Sequence, residues 1–353
     1  MTTRNLLREL ETRLREVWLP APGEKPKPRA CLMNVVVVGT ASVIDRYLPI
    51  VDEVTASLPS RAIVVRLEEE PGEELTGDVS AVCGIGVDAT CSERVLLRAQ
   101  NGSRNRVPSA ISALLLPEIH TTLVWLCKDT VNDPILRALA GDIDRVVLDT
   151  EYTQISSLLE LMRWQEEHTF DVVDLAWIRI APWQELCARF FDPVVLQDLA
   201  YHVKKVTLKQ AGPLGRPLGS ETTLLLGWLG ATLEWTNKNG AVFARDLSPI
   251  ELVLEGDTRD KNVAPLAITH IELEAKEGDL HLAGLIEREH QGGETADVLR
   301  WSLDTNTPSG TPHHVRLGAN KGARLLERAL RRPSGDQIFQ RATVFALEFL
   351  RSS

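Results

Sequence analysis

CLMNVVVVGTASVIDRYLPIVDEVTASL, residues 31–58, joins a strand pattern to a helix pattern through a short turn. Four valines in a row, Val35–Val38, suit a strand buried on both faces, because β-branched side chains pack well on a pleated surface. IDRYLPIVDEVTASL then reads as a helix. A strand running straight into a helix is the start of a crossover unit, so the fold turns on whether the pattern repeats.

It does repeat. RAIVVRL (61–67) is a strand, and VSAVCGIGV (79–87) with RVLLRA (94–99) reads as two adjacent strands. VPSAISALLL is a helix, TTLVWLC a strand, DPILRALAG a helix, DRVVLDT a strand and YTQISSLLELMRWQ a helix. The alternation predicts an α/β domain over residues 30–168, a mostly parallel sheet with helices on both faces. The pair around Cys83 breaks the alternation and fits an antiparallel hairpin at one edge. Upstream, residues 3–18 carry leucines at helical spacing. A proline-rich linker, PAPGEKPKPR (Pro20–Arg29), separates this helix from the domain, so 1–29 is read as a helix and tether.

From about Asp171 the grammar changes. PWQELCARFFD and LQDLAYHV are helical patterns, and a Gly/Pro-rich loop (Gly212–Gly219) leads into the apolar helix ETTLLLGWLGATLEW. AVFAR, IELVLEG, LAITHIELEA, LHLAGLIERE and ADVLRWSLD follow as short strands, then the helices ARLLERALRR and QIFQRATVFALEFL. Residues 169–353 are therefore predicted to form an α+β C-terminal domain, an antiparallel sheet packed by helices.

With 44% hydrophobic and 25% charged residues, the 353-residue chain can bury sizeable cores. Its net charge of −10 argues against a nucleic-acid partner, which needs a basic surface. A local basic patch lies near the C-terminus, where residues 316–353 hold eight Lys/Arg against three Asp/Glu. No apolar run approaches the roughly eighteen residues of a membrane span. The first twenty residues lack the apolar centre of a signal peptide, and five cysteines are a modest number, so the expected location is cytoplasmic.

The search for chemistry gives incomplete motifs. Gly39–Ser42 follows a strand and opens a helix, where an α/β protein would seat a phosphate, yet it contains one glycine rather than a dinucleotide fingerprint. GIGVDA (Gly84–Ala89) runs into another strand, although a dinucleotide loop must open a helix. GANKGAR (Gly318–Arg324) lacks P-loop spacing and the Ser/Thr that would hold magnesium. The adjacent His313 and His314 have no cysteine nearby and read as a solvated loop pair. Glu68–Glu74 reads as a solvated charge run. Cys31, Cys83 and Cys127 fall in apolar strand patterns and Cys187 in a helix, which suits buried thiols. Cys91, beside Ser92, Glu93 and Arg94 at a turn, is expected to be the exposed thiol.

DVVDLAWIRIAPWQEL (Asp171–Leu186) has two tryptophans six apart, with an arginine between them and a proline before the second. It resembles the Asp-Leu-x-Trp-x-Arg segment of the OpcA-type family of glucose-6-phosphate dehydrogenase assembly proteins. LPSRAIVV (58–65), CSERVLL (91–97), LLLPEIHTTLVWL (114–126) and LAGDIDRVVLDT (139–150) are similar to further family segments in the same order. Gln184 stands where the family usually has arginine, and Trp125 stands alone where it has a tryptophan pair. The resemblance implies a bacterial, non-catalytic partner of glucose-6-phosphate dehydrogenase that promotes its active oligomeric state in the oxidative pentose phosphate pathway. It implies no catalytic residue, cofactor or metal. Tryptophan and arginine are enriched among interface anchors. Trp177, Arg179 and Trp183 are therefore partner-contact candidates, with interdomain packing as the rival account, and the basic face bearing Arg324 and Arg328 is a second candidate. Cys83 and Cys91 are redox candidates. The alternative is an enzyme that binds a nucleotide or sugar phosphate at Gly39–Ser42.

Overall fold

The computed structural model describes residues 2–19, 30–84, 91–128, 130–213, 218–258, 263–290, 297–306, 312–317 and 322–352. The chain forms two compact units, Met1–Leu175 with Lys321–Ser334, and Ala176–Asn320 with Gly335–Ser353. The Pro20–Arg29 linker and the Val87–Thr90 turn expected between the two Cys-bearing strands lie outside the described residues.

The first unit runs α1 (Thr3–Glu16), β1 (Met33–Thr40), α2 (Ala41–Ser57), β2 (Ser60–Leu67), β3 (Leu75–Cys83), β4 (Cys91–Ala99), α3 (Val107–Leu114), β5 (Thr121–Leu126), α4 (Pro134–Leu139), β6 (Arg145–Leu148), α5 (Ser156–Gln165) and β7 (Asp171–Asp174). Its seven strands form one sheet in the order β3-β4-β2-β1-β5-β6-β7. Neighbours are parallel except β3 and β4, the antiparallel pair at one edge. β1 lies at the centre, and Val35–Val38 are at most 1% exposed, as a parallel strand covered on both faces requires. α1 turns Leu6, Leu10 and Leu14 inward. Leu10 sits over Gly77 of β3, where a Cβ would come within 3.0 Å of it. Just past α1, Trp18 donates its indole N–H to Glu93 at 2.8 Å, so the N-terminal helix docks on its own unit. The sheet extends beyond residue 168, because Asp171–Asp174 pairs in register with Arg145–Leu148.

Beyond β7 come α6 (Leu175–Arg179), α7 (Ala181–Ala188), β8 (Val203–Ala211), α8 (Ser220–Thr232), β9 (Thr236–Lys238), β10 (Ala241–Phe243), β11 (Pro249–Asp257), β12 (Ile268–Glu277), β13 (Leu280–His290), β14 (Asp297–Thr305), β15 (His313–Arg316), α9 (Gly322–Arg331) and α10 (Gln337–Ser352). The second sheet has the order β15-β14-β13-β12-β8-β11-β10-β9. β8 and β11 pair in parallel and the remaining pairs are antiparallel, so the sheet is mixed rather than purely antiparallel. Parallel neighbours need a crossover, and α8 lies in the connection that supplies it. Of LQDLAYHV, expected to be helical, Leu196–Tyr201 fall in a 3₁₀ segment (Val194–Tyr201) and Val203 already opens β8.

Helices α7 and α8 and the 3₁₀ turn Arg189–Phe191 belong to the apolar side of this sheet. Phe190 stacks on Trp301 with ring centres 5.6 Å apart. It fills the space over Gly284, where a Cβ would lie 2.6 Å from the ring. α8 and α10 approach so closely that a Cβ at Gly227 would fall 2.2 Å from the Ala342 carbonyl oxygen. α9 belongs to the first unit, where Gly322 meets Ile50 of α2.

Candidate functional site

The tryptophan–arginine segment is an internal fastening of the second unit. Trp177 is 4% exposed and donates its indole N–H to Asp336 Oδ2 at 3.1 Å. Asp336 Oδ1 in turn accepts the Phe339 backbone N–H at 3.0 Å, the capping geometry of a helix N-terminus, so Trp177 holds the start of α10. Arg179 Nε lies 3.0 Å from Glu221 in the first turn of α8, both side chains about 15% exposed. Trp183 is 1% exposed, and the Arg288 guanidinium sits 5.9 Å from its ring centre. The expectation that Trp177 and Trp183 meet a partner is corrected here. Their large apolar areas are already enclosed within this unit, and the indole N–H of Trp177 has found its acceptor.

Arg324 and Arg328 behave differently. α9 buries Ala323, Leu325, Leu326, Ala329 and Leu330 and turns both arginines outward, one helical turn apart. Neither has an ion-pair partner among the described residues. Arg331 is paired with Glu327 at 3.0 Å. The helix is held by Arg145 of β6, whose Nη1 donates to the carbonyls of Ala329 at 3.1 Å and Leu330 at 3.0 Å. A buried guanidinium thereby satisfies the carbonyls and complements the negative pole at the end of α9.

The Gly39–Ser42 turn stands where the strand order diverges, with β2 to one side of β1 and β5 to the other. In an open α/β sheet this is the position at which ligands gather. The space above Gly39 is filled, however: a Cβ there would lie 3.2 Å from Ile44 and 3.3 Å from Leu126. The glycine serves the packing of α2 on the sheet. The next strand ends bring carboxylates. Asp149 accepts from Tyr47 Oη at 3.1 Å, and Asp174 accepts from Thr150 Oγ1 at 2.8 Å. Buried carboxylates bonded to Tyr47 and Thr150 are poor company for a phosphate.

Cys83 and Cys91 face each other across β3 and β4 and form a disulfide. Cys91 is fully buried and Cys83 half-buried, the reverse of the exposure expected from the flanking residues. Cys91 lies on the inner strand of the pair, beneath neighbours that short-range polarity does not reveal. Alkylation of mildly oxidised protein followed by peptide mass mapping is expected to recover one cross-linked peptide containing both. Free alkylation of the two without reductant would contradict the pairing. Cys127 and Cys187 are buried, and burial pushes the Cys187 thiol well above its ordinary range.

His313 and His314, expected in a loop, lie in β15. The His313 ring stands 4.5 Å from that of Trp301, and His314 Nε2 lies 3.1 Å from Glu289. No group of three or more His, Cys, Asp or Glu side chains suited to a metal is present among the described residues.

His314 ends a charged ladder that sequence reasoning missed. Register aligns Glu255 of β11, Lys209 of β8, His270 of β12, Glu287 of β13, Arg300 of β14 and His314 of β15 in one row. Lys209 meets Glu255 at 2.6 Å, His270 Nδ1 meets Glu287 at 3.3 Å, Arg300 binds Glu287 closely, and Arg300 Nε lies 3.0 Å from Glu289. Alternation puts this row on the face opposite Ile271, Leu273, Ile286 and Trp301. Burial tends to raise the Glu287 carboxyl, but the hydrogen bond and charge of Arg300, with His270, hold it below its ordinary value.

Burial lowers His270 below the ordinary histidine value, against the pull of Glu287 from β13 and Glu272 on its own strand, while Lys209 from β8 adds to the depression. A histidine kept neutral by burial takes up its proton more readily in the unfolded chain. Its contribution to stability is therefore complete above the ordinary value of about pH 6.5 and is lost as pH falls from there toward the depressed folded value. His270→Gln is expected to reduce the fall in melting temperature between about pH 6.5 and 5. Parallel pH profiles for the two proteins would contradict the assignment.

Comparison with known proteins places this fold. Residues 51–163 match the family model described as glucose-6-phosphate dehydrogenase subunit N-terminal domain, and residues 170–343 match the corresponding C-terminal domain. The chain belongs to this OpcA-type glucose-6-phosphate dehydrogenase assembly family. Among curated relatives, a Synechocystis sp. protein named for OpcA and the OxPP cycle is 24% identical over 196 residues, 53% of this chain and 40% of the relative. Its counterpart in Nostoc punctiforme is 28% identical over 193 residues, with the same coverage. The chain thus spans well under half the length of these relatives. Among solved structures, levoglucosan dehydrogenase in its apo form covers 92% of this chain and 97% of its own, at 8% identity and a TM-score of 0.48, too distant to carry function. Among the described residues, no helix is long and apolar enough to cross a membrane.

Proposed function

We propose that the chain is a cytoplasmic, non-catalytic accessory protein that binds glucose-6-phosphate dehydrogenase and favours its active oligomeric state. The observation that carries this reading is the ordered pair of family matches, each described as a domain of a subunit of that dehydrogenase, over residues 51–163 and 170–343. The local chemistry is in keeping with it: Trp177, Arg179 and Trp183 serve packing, and the Gly39 turn is filled by Ile44 and Leu126.

The mechanism is linkage. A partner that binds the active conformer of an enzyme more tightly than the inactive one shifts the population by that difference in affinity. The chain then needs contact surface rather than catalytic groups. Co-purification with the dehydrogenase from the same cell, together with a lowered apparent constant for glucose 6-phosphate in the mixture, is the expected result. Absence of both association and kinetic change would overturn the proposal.

A further inference from the structure

We propose that the outer, charged face of the eight-stranded sheet is a docking surface for a basic protein surface. Resting on the function proposed above, its occupant is an arginine- or lysine-bearing patch of the dehydrogenase.

The basic side chains of this face are already engaged. Lys209 is taken by Glu255 at 2.6 Å, Lys205 lies 3.6 Å from Glu251, and Arg300 is shared by Glu287 and Glu289. The bases of the ladder are thus committed to ladder acids. Glu272 and Glu274 follow His270 at alternate positions on β12 and point to the same face. Thr207 of β8 and Leu285 of β13 flank Glu272, while Lys205 and Ala283 flank Glu274. Both glutamates are half-buried and have no hydrogen-bond or ion-pair partner among the described residues. Beside them, the His270 side chain is 10% exposed, with Nδ1 3.3 Å from Glu287 and Nε2 without a hydrogen-bond partner among the described residues.

Half-buried carboxylates without partners are costly, and they strengthen any cation that reaches them as docking excludes water. Arginine is the best matched, since its planar fork can bind a carboxylate through two parallel hydrogen bonds. The flanking Thr207, Leu285 and Ala283 leave room between the charged rows for apolar contact.

A second copy of this chain fits less well. A half-turn about an axis along β12 would set Lys209 opposite Glu287 and Glu255 opposite Arg300. The same operation would press Glu272 against Glu272 and Glu274 against Glu274. The acidic centre of the face selects a basic partner.

The test measures binding of the full chain to the dehydrogenase from the same cell at low and moderate ionic strength. It uses wild type, Glu272→Lys/Glu274→Lys, Glu272→Gln/Glu274→Gln, and Glu11→Lys/Glu16→Lys, two exposed residues of α1, as a charge-matched control. Circular dichroism and melting confirm that each variant is folded, and sedimentation of each free chain reports self-association. The expected result is a loss of affinity of roughly tenfold or more for the lysine variant, a smaller loss for the glutamine variant and little change for the control. Wild-type binding should weaken with salt. Equal affinity of wild type and the lysine variant would overturn the docking surface while leaving the proposed function standing. Absence of wild-type binding would overturn both. A wild-type dimer that the lysine variant dissociates would assign the face to a second copy and also overturn the proposal.

Discussion

Gly227→Ala is expected to destabilise the second unit by about 2–3 kcal/mol, although alanine is the better helix former by about 1 kcal/mol. The new Cβ would lie 2.2 Å from the Ala342 carbonyl oxygen and 2.9 Å from the Ala346 Cβ. Neither obstacle is the flexible end of a side chain. Relief requires α8 and α10 to separate along a seam that also holds Gly230, Phe345 and Ala346, and interiors packed like crystals do not yield locally. Gly230→Ala makes the contrast. There the nearest atoms belong to the Phe345 ring, at 2.4 Å, and the ring can turn. Urea denaturation of the two variants separates the effects: Gly227→Ala should lose the more stability. A more stable Gly227→Ala would show that propensity outweighs packing at this seam.

Arg145→Met is expected to cost about 3 kcal/mol and to loosen α9 selectively. Arg145 is a 4%-exposed arginine that donates to the carbonyls of Ala329 and Leu330. It also approaches Asp171 at 3.6 Å. Methionine fills much of the same volume but leaves those carbonyls and the carboxylate without their cation. Hydrogen exchange should therefore accelerate across Gly322–Arg331 before the sheet is affected. Uniform exchange rates, with α9 as protected as in the wild type, would show that apolar burial alone holds this helix.

The legible part of the fold was the part governed by local pattern. Val35–Val38, Ile63–Val65 and Leu123–Trp125 are continuous apolar runs because a parallel strand is covered on both faces, and the sequence reading found all three strands. Pairing was legible where the residues to be paired lie close in the chain, as with the hairpin that brings Cys83 to Cys91. It was not legible where partners are remote. β8 was missed because Lys204, Lys205 and Lys209 make VKKVTLKQA look like a solvated segment, and the places of Lys205 and Lys209 on the outer face follow only from register with β11 and β12. The charged ladder was hidden for the same reason, since Lys209, His270, Glu287 and Arg300 meet only through strand pairing. Trp177 and Trp183 drew attention correctly as unusual residues, but composition cannot separate a bolt within one unit from an anchor for another protein. That distinction rests on Asp336 and Arg288, which lie far along the chain. Arg324 and Arg328 could be placed on an exposed helix face because their apolar neighbours recur at helical spacing.

We propose that this chain acts on glucose-6-phosphate dehydrogenase by binding rather than by catalysis. Titrating the purified chain into the dehydrogenase of the same cell, with mass and initial rate followed on the same samples, tests it most directly. The account expects a complex whose mass rises to saturation, a rate at low glucose 6-phosphate that rises with it, and no turnover by the chain alone. A dehydrogenase unchanged in mass and rate at saturating chain, or a chain that turns over substrate unaided, would contradict it.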